Sequence, residues 1–160
     1  MPLPYPARLR LTRFLTVTLV ALTAALAGPT ADAQAAMASF SAVAVVSAVR
    51  YAAAEKGRPY TRGGATHTRG FDCSGLVTFV YNTRLRRHLP RTTDAQYRAS
   101  AAVSKRAMRA GDLVFFISGG RAYHVGIYAG HNKMWHSPKP GDKVKLATLW
   151  TTNWVGRRPR

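Results

Sequence analysis

Apolar positions first recur at helical spacing and then fall into short runs separated by glycine turns. Val43, Val46, Val49 or Arg50, and Ala53 lie three or four apart, and Ser39 or Ser41 can cap them, which predicts a helix reaching about Lys56. Gly57 and Pro59 are its stop signals. Gly57 to Gly70 holds glycine, threonine and arginine with few large apolar residues and reads as loop. Leu76, Val77, Phe79 and Val80 then form the stripe of a buried helix running from Asp72 to about Asn82. Thr83 to Pro90 is a basic loop, and Thr92 or Thr93 caps a short helix over Asp94 to Ser100. Ala110-Gly111-Asp112 is a turn, Leu113 to Ile117 a strand, and Ser118-Gly119-Gly120 a loop. His124 to Tyr128 and Met134 to His136 read as a hairpin, Val144 to Leu149 as a further strand, and Gly156 to Arg160 as a basic tail. Helices precede an antiparallel sheet, so the class is α+β, with no internal repeat, long linker or second domain.

The only cysteine, Cys73, follows a predicted cap, Asp72. An aspartate there accepts a bond from an unpaired N–H of the first turn, and the helix start favours the nucleophilic thiolate. Asp72 is itself negative and works against that form, so a base must come from elsewhere in the chain. A lone cysteine can also be a buried, inert small hydrophobe.

The histidines are His67, His88, His124, His131 and His136. His67 and His88 fall in predicted loops among arginines and read as solvated, and His131 sits at the hairpin tip. His124 and His136 differ. A hairpin folded about Gly130 sets them directly opposite, and any register that pairs residue numbers of even sum keeps both on one face. There one imidazole can take a thiol proton while the other holds it in its reactive tautomer. His124, His131 and His136 match no helical zinc spacing and Cys73 has no neighbouring cysteine, so neither metal nor cofactor is expected.

The N-terminus adds a compartment. Arg8, Arg10 and Arg13 precede an uncharged apolar run, Phe14 to Ala27, and Ala31-Asp32-Ala33 and Ala33-Gln34-Ala35 fit small-x-small cleavage sites. Residues 1–33 therefore read as a signal peptide cut near 33–35, with 34–160 the mature domain and no stable membrane insertion afterwards. An exported chain with one cysteine forms no internal disulfide, so Cys73 is buried or kept for its chemistry. The chain of 160 residues carries a formal charge of +18. Without residues 1–33 it has 21 basic and 5 acidic residues, a net +16, which draws it to polyanions.

Several blocks together carry a resemblance. Gly57-Arg58-Pro59-Tyr60, Gly63-Gly64, Phe71-Asp72-Cys73-Ser74-Gly75-Leu76-Val77, Leu89-Pro90-Arg91-Thr92-Thr93, Gln96, Gly111-Asp112-Leu113-Val114-Phe115-Phe116 and His124-Val125-Gly126-Ile127-Tyr128 resemble, in order, the motifs of the NlpC/P60 cell-wall peptidases. The likeness covers roughly residues 45–160. It implies a papain-like α+β fold, with the cysteine helix packed on a small antiparallel sheet. It implies Cys73 as nucleophile, His124 as base and His136 as the third, polar member. It places Tyr60 near the oxyanion and substrate amine, and Asp72 and Ser74 along the substrate groove. The implied protein is a secreted, wall-associated, monomeric peptidase acting on peptidoglycan stem peptides at the D-γ-glutamyl–diamino acid bond; the net positive charge, for its part, adds anionic wall polymers as partners, with no specific nucleic acid expected. Two other readings stand beside it. One is an amidase or acyltransferase on the same scaffold. The other is a cationic polyanion-binding protein with an inert cysteine, which the position of Trp135, Trp150 and Trp154 outside the main arginine cluster weakens.

Overall fold

The computed structural model of the chain describes residue 30 and residues 47–160. Residues 47–54 form the described part of the first predicted helix, α1, which buries Ala48 and Ala52. Its predicted start at Ser39 or Ser41, and the predicted export segment apart from Thr30, lie outside the described residues. The stretch predicted as loop holds a two-stranded sheet, β1 (Ala65–Thr66) with β2 (Gly70–Phe71), whose strands are too short to show a period. The cysteine helix begins where predicted. It is α2 (Cys73–Thr78), and it runs on as a π-helical turn, Phe79–Arg84, past the expected end at Asn82. Six α-helical residues do not hold a helix alone. Packing holds it, because Leu76, Val77 and Val80 are fully buried, each contributing about 2 kcal/mol. The Asn82 side chain then grips both backbone groups of Leu89, at 2.8 and 2.9 Å, tying down the basic loop. α3 spans Thr93–Ala99 with Thr92 at its cap position.

Six strands make the main sheet, all paired antiparallel in the order β3-β8-β4-β5-β6-β7. They are β3 (Ala101–Val103), β4 (Leu113–Ser118), β5 (Arg121–Gly130), β6 (Lys133–His136), β7 (Lys145–Thr148) and β8 (Val155–Arg158). The predicted basic tail is therefore a strand lying between β3 and β4. Its arginines masked the pattern because each finds a distant partner. Arg158 bonds both oxygens of the buried Asp112 at 2.7 Å, and Arg157 lies 3.9 Å over the Tyr97 ring. Both faces of the sheet are covered, which is why β4 reads as a continuous apolar run. Leu113, Phe115, Val125 and Ile127 join α2 in the main core. Val114, Phe116, Met134 and Leu149 form a second cluster, flanked by Met108, Tyr128 and Trp154.

The hairpin of β5 and β6 differs from the expected one. Its turn is His131-Asn132, with φ of 49° and 59°, the left-handed pair of a two-residue hairpin, and not a fold centred on Gly130. Gly130 pairs with Lys133, but Tyr128 pairs with Met134 and Ile127 with Trp135, so Ala129 is an extra, bulged residue. In this register position 136 falls beside position 126, and His124 and His136 are diagonal neighbours instead of a directly opposed pair. They still share a face, and the bulge is the reason. With the same turn and no extra residue, the pairing would have odd parity and His136 would face away.

Candidate active site

Asp72 organises the cysteine end. Its Oδ1 accepts the Gly75 N–H at 2.7 Å, the helix cap that the sequence predicts. Its Oδ2 accepts the Gly63 N–H at 2.9 Å, and Arg91 donates to both oxygens, at 3.0 and 2.8 Å. Burial pushes the carboxyl upward, but the Arg91 guanidinium and the two backbone donors outweigh it and hold Asp72 below the usual carboxylate range. The negative charge that would oppose a thiolate is thus balanced by Arg91, to which sequence reasoning gave no role. Arg91 stands inside the Leu89–Thr93 block, but a pairing across nineteen positions leaves no local signal. The buried Ser74 hydroxyl donates to Asp72 Oδ1 at 3.2 Å and accepts from Arg91 at 2.9 Å. Gly75 is required where it stands, because a Cβ there would collide with the Gly64 carbonyl.

Cys73, the first residue of α2, is half-buried, and its Sγ lies 3.4 Å from Thr93 Oγ1. Gln96 holds α3 against the cysteine helix, its Nε2 donating to the Ser74 and Pro90 carbonyls and to Thr78 Oγ1 at 2.9–3.1 Å. Thr93 and Gln96 were not foreseen as site residues. Tyr60, Asp72, Cys73, Ser74, Arg91 and Thr93 line one cleft of about 420 Å³, so four of the expected site residues share it. Burial first, and then the neighbouring Cys73 and Asp72, raise the Tyr60 phenol, which therefore stays protonated and able to donate.

The two expected histidines form the other half. His124 Nε2 and His136 Nδ1 are 2.9 Å apart, with the rings inclined at 77°. Both are buried. Burial, and then the neighbouring His136, push His124 down to about 4. Burial and Lys145 push His136 down to about 4, against the opposing pull of Asp142. Both are neutral at neutral pH, and an imidazole donating from Nε2 keeps a free lone pair on Nδ1. Trp150 stacks on Phe116 at 4.4 Å and packs beside both imidazoles, 6.0 and 5.6 Å between ring centres. The sulfur's hydrogen-bond partner in this structure is Thr93, not an imidazole, and what joins the two halves is α2 packing on β5, the strand that carries His124. The other histidines, His67, His88 and His131, are exposed as expected, although His67 is tied to the buried Glu55 at 2.7 Å.

A family model described as NlpC/P60 family matches residues 57–158. The chain is 39% identical over 110 residues to the murein DD-endopeptidase MepH of Escherichia coli, covering 64% of this chain and 41% of that protein. It is 41% identical over 117 residues to a probable endopeptidase of Corynebacterium glutamicum, covering 73% and 52%. It is also 39% identical over 99 residues to the gamma-D-glutamyl-L-lysine dipeptidyl-peptidase of Bacillus subtilis, covering 60% and 33%. The chain thus spans between a third and about half of the length of these curated relatives. Among solved structures, the NlpC/p60 domain of the peptidoglycan hydrolase SagA superposes with a TM-score of 0.66 at 33% identity, covering 72% of this chain and 98% of that domain. With the capped cysteine helix, the antiparallel sheet and the matched length all in agreement, the chain belongs to the NlpC/P60 family.

Proposed function

We propose that this protein is a secreted cysteine peptidase that hydrolyses peptidoglycan stem peptides at the bond between a D-γ-glutamyl residue and a diamino acid. The observation that carries the reading is a lone thiol at the capped start of a helix, packed on the strand whose buried, neutral imidazole is held by a second one. Turning away from Thr93, the Cys73 thiol gives its proton to His124 Nδ1, and the thiolate attacks the γ-carbonyl carbon. The oxyanion is met by the Cys73 backbone N–H, a first-turn donor without an intrahelical acceptor, and by the Tyr60 hydroxyl. Collapse breaks the C–N bond as His124 returns the proton to the leaving amine, and a thioacyl-enzyme remains. Water, losing a proton to His124, attacks that thioester, which releases the carboxylate and restores the thiol. His136 accepts from His124 Nε2–H and keeps Nδ1 free throughout. Asp72 and Ser74 shape the acyl side of the cleft and orient Arg91.

Digestion of purified peptidoglycan, with mass analysis of the fragments, tests the bond. New γ-D-glutamyl carboxyl ends should appear, and Cys73→Ala should release none while keeping its circular-dichroism spectrum. Fragments from the variant at the wild-type rate would exclude Cys73 as nucleophile. Export is tested by sequencing the secreted protein, which should begin just after residues 33–35.

A further inference from the structure

A hollow of about 300 Å³ that shares no lining residue with the cysteine cleft opens over the second core cluster, walled by Lys105, Asn132, Leu149, Trp150, Thr152 and Trp154. Small-molecule sites start at about that size. Two indoles stand in it. Trp150 lies parallel to Phe116 at 4.4 Å, which covers one face, and it is 55% exposed, so the other face is open. Trp154 is half-buried and stacks on Tyr128, 6.5 Å between ring centres. The segment that carries both is pinned. The Leu149 N–H donates to the Asn132 carbonyl at 2.9 Å, the Asn153 N–H to Thr151 Oγ1 at 3.1 Å, and the Trp154 N–H to the Thr152 carbonyl at 3.0 Å. Indoles held in this way form a platform that costs little ordering when something lies on it.

Charge decides what fits. The chain carries a formal +18, yet the hollow has one cation, and that one is in use. The Lys105 ammonium donates to the Thr152 carbonyl and lies 4.7 Å over the Trp154 ring. A phosphate chain would find no free cation here, and a cationic ligand would meet a lysine already seated on the indole. No carboxylate lines the hollow. Its open polar group is the exposed Asn132 carboxamide, in the left-handed turn at φ 59° and without a hydrogen bond among the described residues. Flat apolar walls with a neutral amide at the rim match a pyranose ring, whose C–H faces lie on an indole and whose polar edge needs neutral donors and acceptors. An acetamido substituent matches the rim further, because its N–H and C=O complement the two halves of a carboxamide. We propose that this hollow binds a neutral, N-acetylated sugar chain, with one ring laid on the indole platform and its acetamido group on Asn132. The inference goes beyond the peptidase reading and requires neither Cys73 nor the imidazoles.

The test is isothermal titration of the mature protein with three probes. They are tetra-N-acetylchitotetraose, cellotetraose, which keeps the rings and lacks the acetamido groups, and octathymidylate as a polyanion. The N-acetylated chain should bind several-fold more tightly than cellotetraose, the scale of one neutral hydrogen bond, with a Kd that does not move with salt. Trp154→Ala should weaken it on the order of tenfold. Asn132→Gly, which keeps the left-handed turn and removes the carboxamide, should bring the two sugars level. Trp150 is left intact, because its ring also packs beside both imidazoles. No heat from either sugar, or a preference for the N-acetylated chain that survives in Asn132→Gly, would overturn the proposal. Octathymidylate that binds more tightly than both sugars, weakens in Trp154→Ala and is released by salt would make the platform a nucleic-acid site and overturn it equally. The titration reads no cleavage, so its failure leaves the peptidase reading standing, and loss of peptide hydrolysis leaves the sugar site standing.

Discussion

Acid should unfold this domain through its two buried imidazoles. His124 and His136 start from an ordinary value of 6.5 and lie at about 4 in the folded protein, lowered first by burial. Inside that window the unfolded chain binds more protons than the folded one. Stability is therefore complete above the unfolded value and is lost as pH falls toward the folded one. Between about pH 7.5 and about pH 4.5, linkage gives a loss of about 2.5 kcal/mol for each imidazole and roughly 5 kcal/mol for the pair, out of a typical domain stability of about 5–15 kcal/mol. Carboxylates held low, such as Asp72, add their own loss at still lower pH, so the informative quantity is a difference between variants. His136→Asn keeps an acceptor for the His124 Nε2–H but takes up no proton. Urea unfolding at the two pH values should show an acid-linked loss smaller by about 2.5 kcal/mol in that variant. Equal losses in the two proteins would mean that His136 is not neutral and buried in the folded state, and the reasoning would fail.

Three further outcomes are expected. His124→Ala should cost nearly all activity, His136→Ala less, and His136→Asn or His136→Gln least, because an amide oxygen can still orient the base; a fully active His124→Ala enzyme in the fragment assay would refute the assignment. Asp72→Ala removes a helix cap and leaves Arg91 facing no charge, so urea melts should show a loss of about 3 kcal/mol, with Asp72→Asn losing less. Retention of the mature protein on anionic walls should fall as salt rises, and pull-down on isolated walls that is indifferent to salt would point to a specific pocket instead.

What the sequence disclosed was local. The cap at Asp72 and the buried stripe through Val80 depend on neighbours within one or two turns, so the cysteine helix could be placed from its start. The hairpin strands, apolar runs on either side of a turn, were legible too. Their register was not, because one bulged residue leaves no mark on a period of two. β8 was missed for a different reason. A strand carrying Arg157 and Arg158 looks solvated until Asp112 and Tyr97 are known to lie beside it. The same limit hid Arg91 and Thr93, whose partners on the cysteine helix and its cap are brought close only by the fold.

The bulge at Ala129 makes the stretch between the two histidines count in twos. Loop tips are ordinarily where a gene can gain or lose a codon at little cost. Here a single added or lost residue anywhere from Val125 to Trp135 that is absorbed into the ladder would turn one imidazole to the other side of the sheet, while a paired change would restore both. The exposed tip at His131-Asn132, already held to residues that accept left-handed φ, thus also excludes odd steps of length that reach the ladder, and under the peptidase reading proposed above one such step should cost as much activity as the loss of His124.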